Sequence, residues 1–237
     1  MPELVINKTY CGPPESANGG YVCGRIAASL PGPAEVTLHV PPPLDHPMRL
    51  VDDGAGSVAV YDGETLVADA HSAQPDIAPH PWVSPELAHR ASERYAWADP
   101  HVHPYPTCFV CGSARTTPDS MHVFAGPVPG LEPLHASPWT PQAPFLDGDG
   151  QVLPEFIWAA LDCPGGHATN AFDHGGRVLL GRFTVELLHP VAGDQEYVVT
   201  ASPLRRDGRK IFTSTALRSA SGELLAHGAA IWIVVAQ

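Results

Sequence analysis

The chain has 237 residues, enough to bury a sizeable core, with 44% hydrophobic and only 16% charged residues. Proline and glycine number 27 and 22, about a fifth of the total and below the level of disordered chains, but enough to imply many turns. The net charge of −12 excludes nucleic acid and anionic membrane as main partners, and no apolar run approaches the roughly 18 residues of a membrane span.

Near the N-terminus, Asn18-Gly19-Gly20-Tyr21 leads into an Ala-rich, helix-compatible stretch over 22–30. Residues 35–40 then alternate as a strand and stop at three prolines. Further strands are predicted over 48–51 and 57–61, and the Asp62-Gly63 turn leads into a strand from Glu64 to Ala68. The C-terminal half replays this order. A helix is predicted over 154–161, with Pro154 suited to a first helical position, and Cys163-Pro164-Gly165-Gly166 is expected to break it. Strands follow over 182–188, 197–204 and 210–217, the last two joined by an Arg-Asp-Gly-Arg hairpin. Residues 223–226 match 64–68 in type, and 231–235 close the chain as a central strand.

Each half is thus one helix followed by antiparallel strands, an α+β pattern in which the helix covers the apolar face of a sheet. The chain divides into an N-terminal unit over 1–72, a Pro/His-rich connector over 73–137 and a C-terminal unit over 138–237. The connector contains one predicted helix, over 85–97, and the Cys pair described below. Five cysteines and an N-terminus without a basic or apolar leader argue for thiols in the cytoplasm rather than a disulfide framework.

The two-part pattern and its motifs resemble the hotdog-fold acyl-CoA thioesterase superfamily, in its tandem (double hotdog) form. In the phenylacetate-pathway type, a helix begins with His-Gly-Gly and carries a Leu-x-Asp about two and a half turns on. The glycine N–H groups polarise the thioester carbonyl, and the Asp is nucleophile or base. Here the features are split. Asn18-Gly19-Gly20 matches the start, but Ala27 stands where the Asp would be; Leu161-Asp162 matches the end, one spacer short, but Leu153 stands where the glycines would begin. The resemblance implies one composite site, with Asp162, Gly19 and Gly20 catalytic and Asn18 and Tyr21 at the substrate. Unpaired N–H groups at a helix start suit an oxyanion, and glycine allows close approach. A longer tandem branch adds a Thr and a Gln from the sheet to the Asp. Ala229 and Ala230 occupy the stretch expected for that Gln, and Thr184 is a sheet hydroxyl without a firm place. His174-Gly175-Gly176 spells the motif but precedes a strand and reads as a turn.

Seven of the thirteen Lys and Arg lie between Arg177 and Arg218. Arg205, Arg206, Arg209 and Lys210 cluster at one hairpin, where they are either a phosphate-binding entrance or a solvated tip. The tightest motif is Cys108-Phe109-Val110-Cys111-Gly112, a knuckle suited to zinc with His101, His103 or His122 as further ligands; a packed turn or a redox thiol pair are its other readings. Cys163 is either a nucleophile served by His167 or an inert buried thiol. Tyr21, Phe156 and Trp158 are core residues or the wall of an acyl channel.

The expected activity is hydrolysis of an acyl-CoA or other acyl thioester without an organic cofactor, a structural zinc at Cys108 and Cys111 being the one metal considered. A non-catalytic acyl-thioester binding module is the alternative, and a zinc-knuckle protein docking a partner on the connector the third reading. The assembly is expected to be a monomer or homodimer.

Overall fold

A computed structural model describes residues 2–77, 80–116 and 119–235. In the first half, β1 (Glu3–Leu4) precedes α1 (Gly19–Ala27), β2 (Ala34–Leu38), β3 (Met48–Asp52), β4 (Ser57–Asp62) and β5 (Thr65–Ser72). Next come α2 (Pro85–Ser92), β6 (Gly126–Pro127) and β7 (His135–Trp139). The second half is α3 (Pro154–Ala168), β8 (Arg177–Leu187), β9 (Tyr197–Asp207), β10 (Lys210–Ser219) and β11 (Leu224–Val235).

The strands form one eleven-stranded antiparallel sheet in the order β1-β3-β4-β5-β2-β8-β11-β10-β9-β7-β6. The halves join where β2 pairs with β8, Ala34 opposite Val185 and Thr37 opposite Arg182. That pairing removes an exposed edge from each half. Helix α3 packs across β8, β9, β10 and β11, α1 packs on β2, β5 and β8, and the two helices pack on each other. A continuous core, including Val22, Ile26, Val36, Leu161, Phe183 and Ile211, fills the space between helices and sheet.

Helix α1 starts at Gly19, three residues before the stretch expected over 22–30, because the Asn18 side-chain oxygen accepts the Tyr21 N–H at 2.9 Å. It ends at Ala27, short of Leu30. Gly20 and Gly24 face α3: a Cβ on Gly20 would stand 2.7 Å from the Trp158 carbonyl oxygen, and one on Gly24 would stand 2.6 Å from the Glu155 Cα. These contacts run in opposite directions along the two helices, so α1 and α3 cross antiparallel and nearly backbone to backbone.

Other elements also differ from their predicted extents, β8 among them, which begins at Arg177 rather than at 182. The helix expected over 154–161 continues to Ala168, through Pro164, Gly165 and Gly166. Pro164 forfeits a bond to the Ala160 carbonyl, yet packing overrides propensity. Added Cβ atoms at Gly165 and Gly166 would stand 2.9 Å from Thr213 Oγ1 and 3.0 Å from the Trp232 ring, so the glycines let the helix lie close on the sheet. The helix expected over 85–97 stops at Ser92; Gly126 then runs against the Ala91 carbonyl, and Tyr95 turns inward to reach His103 and Cys111. Residues 223–226 and 231–235 are parts of one strand, β11, continued through buried Ala226 and Ala230. The stretch over 73–137 also adds strands to the sheet: β7 pairs with β9, β6 pairs with β7, and α2 packs on β6, β7 and β9.

Candidate functional site

The α1–α3 crossing brings together residues 144 positions apart. Asp162, on the third turn of α3 and 3% exposed, points its carboxylate at the start of α1. Its Oδ2 accepts the Gly20 N–H at 2.9 Å and the Asn18 Nδ2 at 3.0 Å. The Asn18 amide orientation is fixed, since its oxygen is committed to the Tyr21 N–H and its nitrogen must therefore face Asp162. Asp162 Oδ1 is buried without a hydrogen-bond partner. Burial pushes the Asp162 carboxyl up to about 7, against the pull of the Gly20 N–H and the Asn18 amide; the Cys108 thiol adds to the rise.

Beside this carboxylate lie three thiols. Cys108 and Cys111 come from the knuckle between β5 and β6, and Cys163 follows Asp162 on α3. Their Sγ atoms all lie within 4.8 Å of one another, Cys108 and Cys163 at 3.7 Å. Asn18 Nδ2 reaches Cys163 Sγ at 3.7 Å and Cys108 Sγ at 4.0 Å. The Cys111 and Cys163 thiols and the backbone N–H groups of Cys111 and Val110 donate to Cys108, holding its thiol well below the usual range. The thiols of Cys111 and Cys163 are pushed up. Gly112 closes the knuckle, its N–H bonding the Cys108 carbonyl at 2.8 Å, with no room for a Cβ against the Pro106 and Cys108 carbonyls.

A cavity of about 680 Å³ opens onto this cluster, lined by Asn18, Gly19, Cys108, Asp162, Cys163 and His167 among others. Gly19, in the first turn of α1, belongs to the segment whose N–H groups have no helical acceptor. His167, four residues after Cys163, is buried with neither ring nitrogen hydrogen-bonded and packs against Tyr95 and Trp97. Burial holds it well below the usual histidine range.

The remaining sequence candidates fall elsewhere. Tyr21 is buried in an aromatic cluster with Tyr10, Phe109 and Phe156, away from the cavity lining. Arg205, Arg206, Arg209 and Lys210 lie exposed at the β9–β10 hairpin, outside that lining: Arg205 stacks on Phe212, and Arg206 bonds the Asp173 and Gly208 carbonyls. The lining arginine is Arg177, over the Tyr105 ring. His174-Gly175-Gly176 is a loop, Gly175 having a φ of 62°. Thr184 donates to Glu35. His103 is spent: Nδ1 accepts the Tyr105 N–H, while Nε2 lies 3.0 Å from the Cys111 carbonyl oxygen and 2.8 Å from the Tyr95 hydroxyl. His122 stacks on Phe124, and its Nε2 lies 3.3 Å from the Arg115 carbonyl oxygen. Cys163 joins the knuckle only in space, 52 positions after Cys111.

The architecture is that of the hotdog-fold thioesterases. The acyl-CoA thioesterase II TesB2 of Mycobacterium marinum superposes with a TM-score of 0.61 at 13% identity, covering 99% of this chain and 93% of that one. The tesB protein of Mycobacterium avium subspecies paratuberculosis gives 0.60 at 11% identity, covering 92% and 87%. At such identities the likeness establishes the fold. No protein-family model and no curated protein matches the chain.

Proposed function

We propose that the chain is a tandem double-hotdog thioesterase that hydrolyses an acyl-CoA-type thioester at one composite site, where α1 meets α3. The observation that carries this reading is the buried Asp162 carboxylate held at the helix start formed by Asn18, Gly19 and Gly20, on the wall of a large cavity. In the reaction, Asp162 takes a proton from a water molecule as the water oxygen bonds to the thioester carbon. Helix-start N–H groups stabilise the resulting oxyanion. The C–S bond then breaks, and the thiolate leaves with the proton returned from Asp162. The acyl-CoA class rests on the fold and on what the TesB2 relative is described as doing. Among the described residues no helix is long and apolar enough to cross a membrane. The five buried free thiols support a cytoplasmic location, and the proposed assembly is a monomer or homodimer.

One observation favours a binding module instead. The Gly20 N–H and the Asn18 amide are already occupied by Asp162, so a substrate carbonyl must use Gly19 or displace the carboxylate. Thiol release from short, long and aromatic acyl-CoAs by wild type and Asp162→Asn separates the two. Loss of about 10²–10⁴ in rate with an unchanged melting temperature supports catalysis by Asp162. Equal rates remove it from the mechanism, and no hydrolysis by either protein favours binding.

A further inference from the structure

We infer that Cys108, Cys111 and Cys163 form a metal site that takes zinc through three thiolates and leaves its fourth coordination position open to the cavity. The geometry is the first argument. Zinc holds thiolate sulfurs at about 2.3 Å in a tetrahedron, which sets neighbouring sulfurs about 3.8 Å apart. Cys108 and Cys163 stand at 3.7 Å, and all three sulfurs fall within 4.8 Å. Small side-chain rotations of about an ångström complete the triangle.

The surroundings are the second argument. The three sulfurs arrive from two rigid elements, the Gly112-closed knuckle and helix α3. The Asn18 amide gives one N–H to Asp162 and turns the other towards Cys108 and Cys163, as a donor beside thiolates should. His103 fixes the Cys111 backbone through its carbonyl, a support of the kind that orients metal ligands. Three thiolates with one divalent cation leave a single negative charge for these donors to balance. A disulfide uses only two of the sulfurs and requires them to close to about 2.0 Å.

The fourth position is the third argument. Among the described residues the cluster contains three ligands only. His103 and His122 are engaged elsewhere, as described above, and His101 is exposed. Asp162 and His167 lie outside the group of atoms within 4.8 Å, and all three cysteines line the cavity, so the fourth ligand comes from there, as water or a sulfur or oxygen atom of a cavity ligand. Three protein ligands with an open position is the pattern of reactive zinc sites, whereas purely structural sites are closed by four.

The test reads metal without substrate, so it stands apart from the thioesterase assay. Protein purified from zinc-supplemented cells is dialysed against a weak chelator, and its zinc is measured by elemental mass spectrometry. One equivalent is expected in wild type and in Cys23→Ala, with loss of most of it in Cys163→Ser. Because that variant could fail to fold, cobalt(II) is also added to reduced, metal-stripped wild type. Tetrahedral visible bands and a thiolate charge-transfer absorption of three-sulfur intensity are expected, with the bands shifting when free thiol is added to occupy the open position. Absence of both zinc and the cobalt bands overturns the proposal. So does a metal-free protein that has lost two hydrogens to a disulfide within the cluster.

Discussion

Replacing Gly24 by alanine tests the closeness of α1 to α3. In an ordinary helix interior this change stabilises by about 1 kcal/mol, because alanine is the better helix former. Here the new Cβ would lie 2.6 Å from the Glu155 Cα and 3.0 Å from the Trp158 Cβ. Neither atom is the end of a flexible side chain, so relief requires the helices to part. Overpacking against backbone costs about 1–3 kcal/mol or more, which outweighs the propensity gain or cancels most of it. A net loss of up to about 2 kcal/mol should lower the melting temperature by up to about 8 °C in a chain of this size. Parting the helices also draws Asn18 and Gly20 away from Asp162, so the site should loosen with the fold. Urea unfolding of wild type and Gly24→Ala, with the slope unchanged between them, measures the difference. A variant stabilised by about 1 kcal/mol would show that propensity alone governs position 24 and would refute the close crossing.

Acid should expose a second buried group. His80 bonds Thr200 and Ser214 through its two ring nitrogens, and burial, with Arg218 adding to it, lowers it from 6.5 to about 4. The unfolded chain therefore binds the extra proton first: stability present above pH 6.5 is lost as the pH falls towards 4, about 2 kcal/mol of it by about pH 5. His103, His135 and His167 are lowered as well, so the measurement is the difference in urea midpoint between wild type and His80→Gln at about pH 7.5 and about pH 5. A variant with the wild-type pH dependence would count against His80. At the cavity, Arg177→Gln should weaken coenzyme A binding by about tenfold, roughly 1.4 kcal/mol of charge-assisted bonding. Arg209→Gln, at the hairpin outside the lining, should change it little; calorimetric titration compares them, and the reverse order would return the phosphate site to the hairpin.

Local chemistry made much of this molecule legible. Asn18-Gly19-Gly20 reads as a helix start through the motif it resembles, and Asp62-Gly63 and Asp207-Gly208 read as turns; the structure has α1, β4–β5 and β9–β10 there. The facing of Asn18 and Gly20 to Asp162 could be expected because each half resembles a different part of one motif. What was hidden depends on packing. Nothing local reports that Thr213 and Trp232 make room for Pro164-Gly165-Gly166 within a helix. Nothing local reports that a sulfur 52 positions beyond Cys111 completes its cluster. Whether the Arg-rich hairpin is a phosphate entrance or a solvated tip is hidden for a related reason: charge density is visible in a sequence, but distance from a cavity is not.

The β2–β8 seam bears on how the chain is made. On a ribosome, β2 is complete long before β8 emerges, and its β8-facing edge has no partner until then. The second half of the site is equally late, since Asp162 and Cys163 leave the tunnel after Asn18 and the Cys108–Cys111 knuckle, and α3 can settle only when β8, β9, β10 and β11 follow. The nascent protein thus carries an open strand edge from residue 38 until residue 177 and beyond have emerged, and the knuckle thiols wait for Cys163. Until β8 pairs with it, that edge is a template for pairing with other chains, so its shielding by chaperones should bear on yield.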